Sequence, residues 1–292
     1  MIDGFQETYS CGIAPKEGKK LIFQTEINGL PVQAEFSEEN IREIFLPLLR
    51  TLTALQKRLN RRILVFLAAP PGTGKSTLAA FLQTLSQETD GTTPLTVIGM
   101  DGFHRKQEYL QTHTALRDGK EIPLVDIKGA PITFDLALLK AAVQKAAAGE
   151  ECDWPEYDRL LHNPVYRGLR VTGKIVLLEG NYLLLDQEGW RELKQFADYT
   201  IRLDADTGLL RRRLVERKTA SGMPRERAEA FVDFSDLNNA RLCREKSLPA
   251  DRTLLTRPDG SFWEDQEKTE NVSFSSAGNT AFQEEYNKEM PE

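Results

Sequence analysis

Residues 66–82 read "FLAAPPGTGKSTLAAFL". An apolar run meets two prolines, then Gly-Thr-Gly-Lys-Ser-Thr, then an apolar pattern of helical period. Irregular backbone between two regular segments implies a need for exposed N–H groups. Glycines let successive N–H groups turn inward around an anion, and the helix that follows adds its positive N-terminal end. The pattern GxxxxGK[ST] is met from Gly74 onward, with Ala69 where the first glycine is usual. Read as a phosphate loop, Pro71, Gly72, Thr73, Gly74, Lys75, Ser76 and Thr77 surround a triphosphate. Lys75, read as an exposed loop charge, reaches the β- and γ-phosphates, and the Ser76 hydroxyl can ligate Mg²⁺. The alternative is an ordinary strand–turn–helix connection, which has no use for the GKST run.

Working outward, residues 20–36 alternate apolar and polar around Asn28-Gly29, a hairpin signal. Ser37 is the expected N-cap of a long helix, with Pro47 a candidate kink. "ILVFLAA", "LTVIGMD" (95–101), "KIVLLEG" (174–180) and "YTIRLDA" (199–205) read as buried parallel strands. Helices are expected at about 75–88, over "TFDLALLKAAVQKAAAG" up to Gly149, and on both sides of a break at Gly222-Met223-Pro224. Strands alternating with helices predict a three-layer α/β fold around a parallel sheet, plus an N-terminal β-hairpin and helix. The expected organisation is an extension at 1–60, the main domain at 61–264 and a polar tail at 265–292 too poor in apolar residues to order itself.

Two strand ends carry acids. Asp101 falls at the carboxyl end of its strand, where ligands bind in open α/β sheets. There it can take a proton from an attacking hydroxyl or hold a metal; the alternative is a turn cap. His104 nearby is a candidate substrate contact or a satisfied polar group. Glu179 ends "KIVLLEG" as a Walker B acid would, able to hold Mg²⁺, and Asn181 follows it on the acceptor side. "LRRRLVERK" puts Arg213 and Arg217 on one helix face, where guanidiniums can clamp phosphate; the rest of that charged set reads as a solvated face. "DWPEYDRLLHNPV" (153–165) mixes aromatic and charged residues in an irregular segment, as a substrate pocket does; for Trp154 the alternative is a side chain that tucks the loop onto the core.

The bulk properties narrow the class. The chain has 292 residues, 40% hydrophobic and 28% charged, with a net charge of -6. That suits an ordinary globular protein and disfavours nucleic-acid binding. Cys11, Cys152 and Cys243 lie far apart with no CxxC pair, which argues against zinc and for a reducing compartment. "MIDGFQETYSCG" lacks the pattern of a signal peptide. No apolar run approaches the roughly 18 residues of a membrane span. The expectation is a cytoplasmic protein with no membrane or nucleic-acid partner; oligomeric state stays open, a homodimer included.

The order GTGKST, MDGFH, KGAPITFD, PEYDR, LEGNYLLL, RRRLVERK and DLNNARL resembles the P-loop small-molecule kinases related to pantothenate kinase, uridine kinase and phosphoribulokinase. The resemblance covers roughly residues 60–255. It implies a P-loop NTPase fold, MgATP as phosphate donor and a hydroxyl of a small metabolite as acceptor: pantothenate, a nucleoside, a sugar or glycerate. It implies Asp101 as base, Lys128 of the KGAP segment with Tyr157 and Asp158 on the acceptor side, and Arg217, then Arg213, as lid arginine. Asn239 would approach the adenine. The alternative from another class is a P-loop ATPase or nucleotide-binding regulator with residues 1–60 as a partner-binding module.

Overall fold

The run ILVFLA at Ile63–Ala68 (β3) is buried at every position, as a strand covered on both faces must be. In the computed structural model, which describes residues 19–265 apart from 28, 118, 159 and 160, β3 is the centre of the main sheet. Its hairpin neighbours in sequence are β1 (Lys20–Ile27) and β2 (Leu30–Ser37). The later strands are β4 (Leu95–Gly99), β5 (Thr114–Arg117), β6 (Lys120–Pro123), β7 (Glu156–Asp158), β8 (Asn163–Val165), β9 (Ile175–Gly180), β10 (Tyr199–Ala205), β11 (Arg252–Thr256) and β12 (Phe262–Glu264). The six-stranded sheet runs β12-β11-β10-β3-β9-β4. Its neighbours pair in parallel except β12, which is antiparallel to β11. The three remaining pairs, β1-β2, β5-β6 and β7-β8, are small antiparallel hairpins.

Alternate residues of the central strands feed opposite faces, as the period of two requires. Ile63, Val65 and Leu67 join a core with Phe23 and Phe36 of the first hairpin, Leu48 and Leu52 of the helical segment 38–59, and Phe81. Leu64, Phe66 and Ala68 join the other core, with Leu139 and Val143 of the helix Leu136–Ala147 and with Trp154, Tyr182 and Trp190. The hairpin is therefore built into the sheet's first face: Phe36 stacks on Phe81 with ring centroids 3.8 Å apart. The Ser37 hydroxyl accepts from Asn40 N at 3.1 Å and caps the helical segment. Pro47 falls in the first turn of Leu46–Leu59, directly after a π-turn at Ile41–Phe45. Proline has no N–H to give to the preceding turn; the π-turn just before it changes the hydrogen-bond register there, and the segment continues without a break.

Several expectations are corrected. The strand ending at Asp101 stops at Gly99, and Met100–Phe103 form a 3₁₀ turn. The segment 153–165 is not irregular: its second half is the β7-β8 hairpin. Strands β11 and β12 extend the sheet beyond the four strands expected. The break at 222–224 separates Thr207–Ala220 from the helical segment 225–245, which contains a π-turn at Val232–Asp236. The expected tail beyond Asp265, like Cys11, lies outside the described residues. No helix among the described residues is long and apolar enough to cross a membrane.

Candidate active site

Every parallel strand delivers its carboxyl end to one edge of the sheet, and the loop between β3 and the helix Lys75–Glu88 starts there. Gly72 and Gly74 have φ of 88° and 92°, a region other residues enter only at a cost. A Cβ on Gly72 would also lie 3.0 Å from Leu214 Cγ. The loop is braced by Thr73 Oγ1 donating to Pro70 O at 2.9 Å and by Arg213 Nη1 donating to Thr73 O at 3.0 Å. Ala69 is buried and donates its N–H to Gly180 O at 3.2 Å. Its methyl is thus accommodated where the usual pattern has glycine.

Glu179 occupies the carboxyl end of β9, beside this loop. Ser76 Oγ donates to Glu179 Oε1 at 2.8 Å, and Lys75 Nζ lies 3.6 Å from Glu179 Oε2. The Lys75 side chain is only 12% exposed, so the reading of an exposed loop charge is wrong: the ion pair folds it inward. Burial pushes the Glu179 carboxyl above its usual range; Lys75 opposes that shift and the nearby Asp101 charge adds to it. Glu179 Oε2 is buried and accepts no hydrogen bond. Asp101 sits in the 3₁₀ turn after β4, which pairs with β9. The geometry thus gathers Lys75, Ser76, Glu179 and Asp101 at one point.

Gly102 is obligatory for a packing reason: a Cβ there would lie 1.9 Å from Pro155 O. The segment 154–158 therefore lies directly against the Asp101 turn, and Trp154 Nε1 clamps it by donating to Gly99 O at 2.8 Å. His104 stacks on Phe134 at 3.9 Å and meets Tyr157 edge-on at 5.2 Å. Lys128 Nζ lies 5.1 Å above the Tyr157 ring and donates to Gln107 Oε1 at 2.7 Å and to His162 O at 3.0 Å. Burial lowers its pKa to about 8.

Other candidates are placed differently from expectation. Asp158 faces its own hairpin: Oδ1 accepts from Leu161 N at 2.8 Å, and Oδ2 pairs with Arg167. Of the two lid candidates, Arg213 reaches the phosphate loop, whereas Arg217 is exposed one turn further along. The i,i+4 spacing was legible, but the side of the helix meeting the loop was not. Asn239 stands beside the KGAP segment, its Nδ2 3.6 Å from where a Cβ on Gly129 would lie. Sequence reasoning missed Tyr182, whose buried hydroxyl donates to Gly129 O at 2.6 Å. The cue was present in its position three residues after Glu179, at the end of an apolar strand.

No family model matches the chain. The chain is 40% identical over 237 residues to "Uncharacterized protein YggC" of Escherichia coli (strain K12), a match covering 81% of this chain and 96% of that protein. It is 30% identical over 200 residues to "Putative uridine kinase C227.14" of Schizosaccharomyces pombe, covering 66% of this chain and 83% of that one. Among solved structures it is similar to a "putative fructose transport system kinase" from Silicibacter sp. TM1040. That match has 33% identity and a TM-score of 0.59, over 71% of this chain and 98% of the other.

Proposed function

The chain belongs to the P-loop kinases, and from that we propose that it uses ATP to phosphorylate a hydroxyl of a small metabolite. One observation carries the reading: a phosphate loop, its lysine, the strand-end Glu179 and Asp101 of the turn after β4 converge at one sheet edge. A nucleotide-binding regulator needs the loop, but it has no need for a carboxylate such as Asp101 backed by an ordered segment of aromatic and cationic groups.

In this reading the 72–77 backbone and Lys75 hold the β- and γ-phosphates, Lys75 leaving Glu179 to do so. The donor set fits Mg²⁺. Ser76 Oγ and the buried Glu179 Oε2, which accepts no hydrogen bond, would supply hard oxygen ligands to it. Among the described residues no cluster of three or more His, Cys, Asp or Glu could hold a metal alone. When bound, Mg²⁺ would neutralise charge on the transferring phosphoryl group.

Asp101 is placed to orient the acceptor hydroxyl and take its proton late, as the P–O bond forms. Tyr157, His104, Lys128 and Asn181 border the acceptor space. Arg213 steadies the loop, and Arg217 would arrive with closure of the 207–245 segment. The test is ADP release with and without a panel of hydroxylated metabolites. Release that depends on one of them, with a phosphorylated product, is expected. ATP turnover indifferent to every acceptor would return the protein to the ATPase class.

A further inference from the structure

Tyr182 is fully buried, three residues after Glu179 and just beyond the carboxyl end of β9. Its ring and its hydroxyl serve different partners. The ring meets Phe134 edge-on at 5.8 Å and Trp190 at 5.4 Å. Phe134 in turn stacks on His104, whose N–H donates to Asp101 O at 3.2 Å. The hydroxyl donates to Gly129 O at 2.6 Å. Burial pushes its pKa well above the usual range, so it stays a donor at neutral pH.

Gly129 belongs to the turn that carries Lys128. Its φ of 100° is a left-handed value that glycine adopts freely. Its N–H donates to Thr133 Oγ1 at 3.0 Å, and that hydroxyl donates to Ala130 O at 2.7 Å. The turn secures its N–H locally, whereas its carbonyl is secured by Tyr182, 53 residues away. Lys128 then spans the acceptor wall. Its Nζ joins Gln107 of the helix Gln107–Thr112 to His162 of the β7-β8 hairpin and covers the Tyr157 ring. Gln107 N donates to Asn163 Oδ1 at 2.8 Å and closes this ring of contacts. Phenylalanine would make the same aromatic contacts as Tyr182. The hydroxyl is needed only for Gly129 O, which would otherwise lose this donor.

We propose that Tyr182 is a positioning residue for the acceptor half of the site. Through Gly129 it fixes the turn that aims Lys128, and so sets the acceptor wall relative to Asp101. The phosphate loop positions the nucleotide half independently. The inference rests on the kinase reading and adds to it a residue that touches neither substrate.

The test uses the intact protein with ATP and whichever of D-fructose, uridine, pantothenate and D-glycerate supports ADP release. Y182F keeps the ring and removes the tie. It should raise the acceptor KM about five- to tenfold, the loss of one hydrogen bond, and leave the KM for ATP within about twofold. K128M should raise the acceptor KM as well. Y182F added to K128M should change it little further, because both act through one side chain. An unchanged acceptor KM in Y182F overturns the inference and leaves the hydroxyl as a contact of the fold. An equal rise in both KM values also overturns it, since that marks general loosening. So does a Y182F effect as large in K128M as in the wild type, which removes Lys128 from the route. These three results leave the kinase standing. T133V releases the same turn from its N–H side and carries the same expectation; it decides the matter if Y182F does not fold. No acceptor-dependent ADP release with any compound defeats the kinase reading and this inference together.

Discussion

At the scale of the residue, the site is a contest for buried charge. Asp101 and Glu179 lie close enough to affect each other, and Glu179 is paired with Lys75. In the kinase reading proposed above, proton transfer falls to Asp101. Asp101→Asn should keep ATP binding and lose phosphoryl transfer by about 10²–10⁴-fold, checked by nucleotide titration beside single-turnover kinetics. Loss of MgATP binding with residual chemistry would instead make Asp101 the metal ligand. Lys128 gives a pH prediction. Its folded pKa of about 8 is below the ordinary 10.5, so between those values the unfolded chain binds more protons, and stability from this group rises with pH. The cost of the charged form is fully present below about pH 8. The stability of Lys128→Met relative to the wild type should therefore fall as pH rises from 8 to 10.5, measured by urea unfolding at several pH values; a flat difference would refute the shift. The placement of Lys75, Ser76 and Asp101 at one sheet edge was legible because a phosphate loop and an acid just past an apolar strand have local signatures. The Lys75–Glu179 pair was not, because 104 residues of chain separate its partners and only the β3-β9 register joins them.

At the scale of the element, the helix Thr207–Ala220 connects to the phosphate loop through Arg213 and offers Arg217 to solvent. The two arginines should separate kinetically. Arg213→Ala releases Thr73 O and should raise the KM for ATP several-fold. Arg217→Ala should lower kcat by tenfold or more with little change in that KM, since a guanidinium arriving on closure acts on the transition state. Steady-state kinetics of both variants decide this; an unchanged kcat in Arg217→Ala leaves it on a solvated face. Long elements with strong periodicity were readable from sequence, Tyr199–Ala205 to the residue. The β7-β8 hairpin was not. Its strands have three residues each, too few for alternation to register, and its place is set by distant contacts such as Trp154 with Gly99 O.

At the scale of the whole molecule, the N-terminal hairpin shares its core with the helix that follows the phosphate loop. Phe36 is 3% exposed and packs on Phe81, Phe45 and Phe262. Phe36→Ala should cost about 3–5 kcal/mol and lower the stability of the entire unit. Fluorescence of Trp154 and Trp190, buried in the core across the sheet, should shift in the same single transition as the circular dichroism. Two separated transitions would show that the hairpin unfolds alone. The parallel sheet was legible from its apolar runs, while β11 and β12 were not, since "RTLLT" and "FWE" are short and mixed in character.

The sheet order has a consequence for how the protein is made. Ile63 pairs with Ile175, and Tyr199 with Val65. The most apolar strand thus leaves the ribosome more than 100 residues before either neighbour exists. At synthesis rates of about 5–20 residues per second, that interval is on the order of 5–20 s. The β1-β2 hairpin and the helices 38–59 and 75–88, all made before or soon after β3, can shelter one face of it meanwhile. The other face waits for the helix Leu136–Ala147 and for β9. Nascent chains stalled between about residues 90 and 170 should therefore be the ones that bind chaperones and aggregate, and chains released beyond β10 should not.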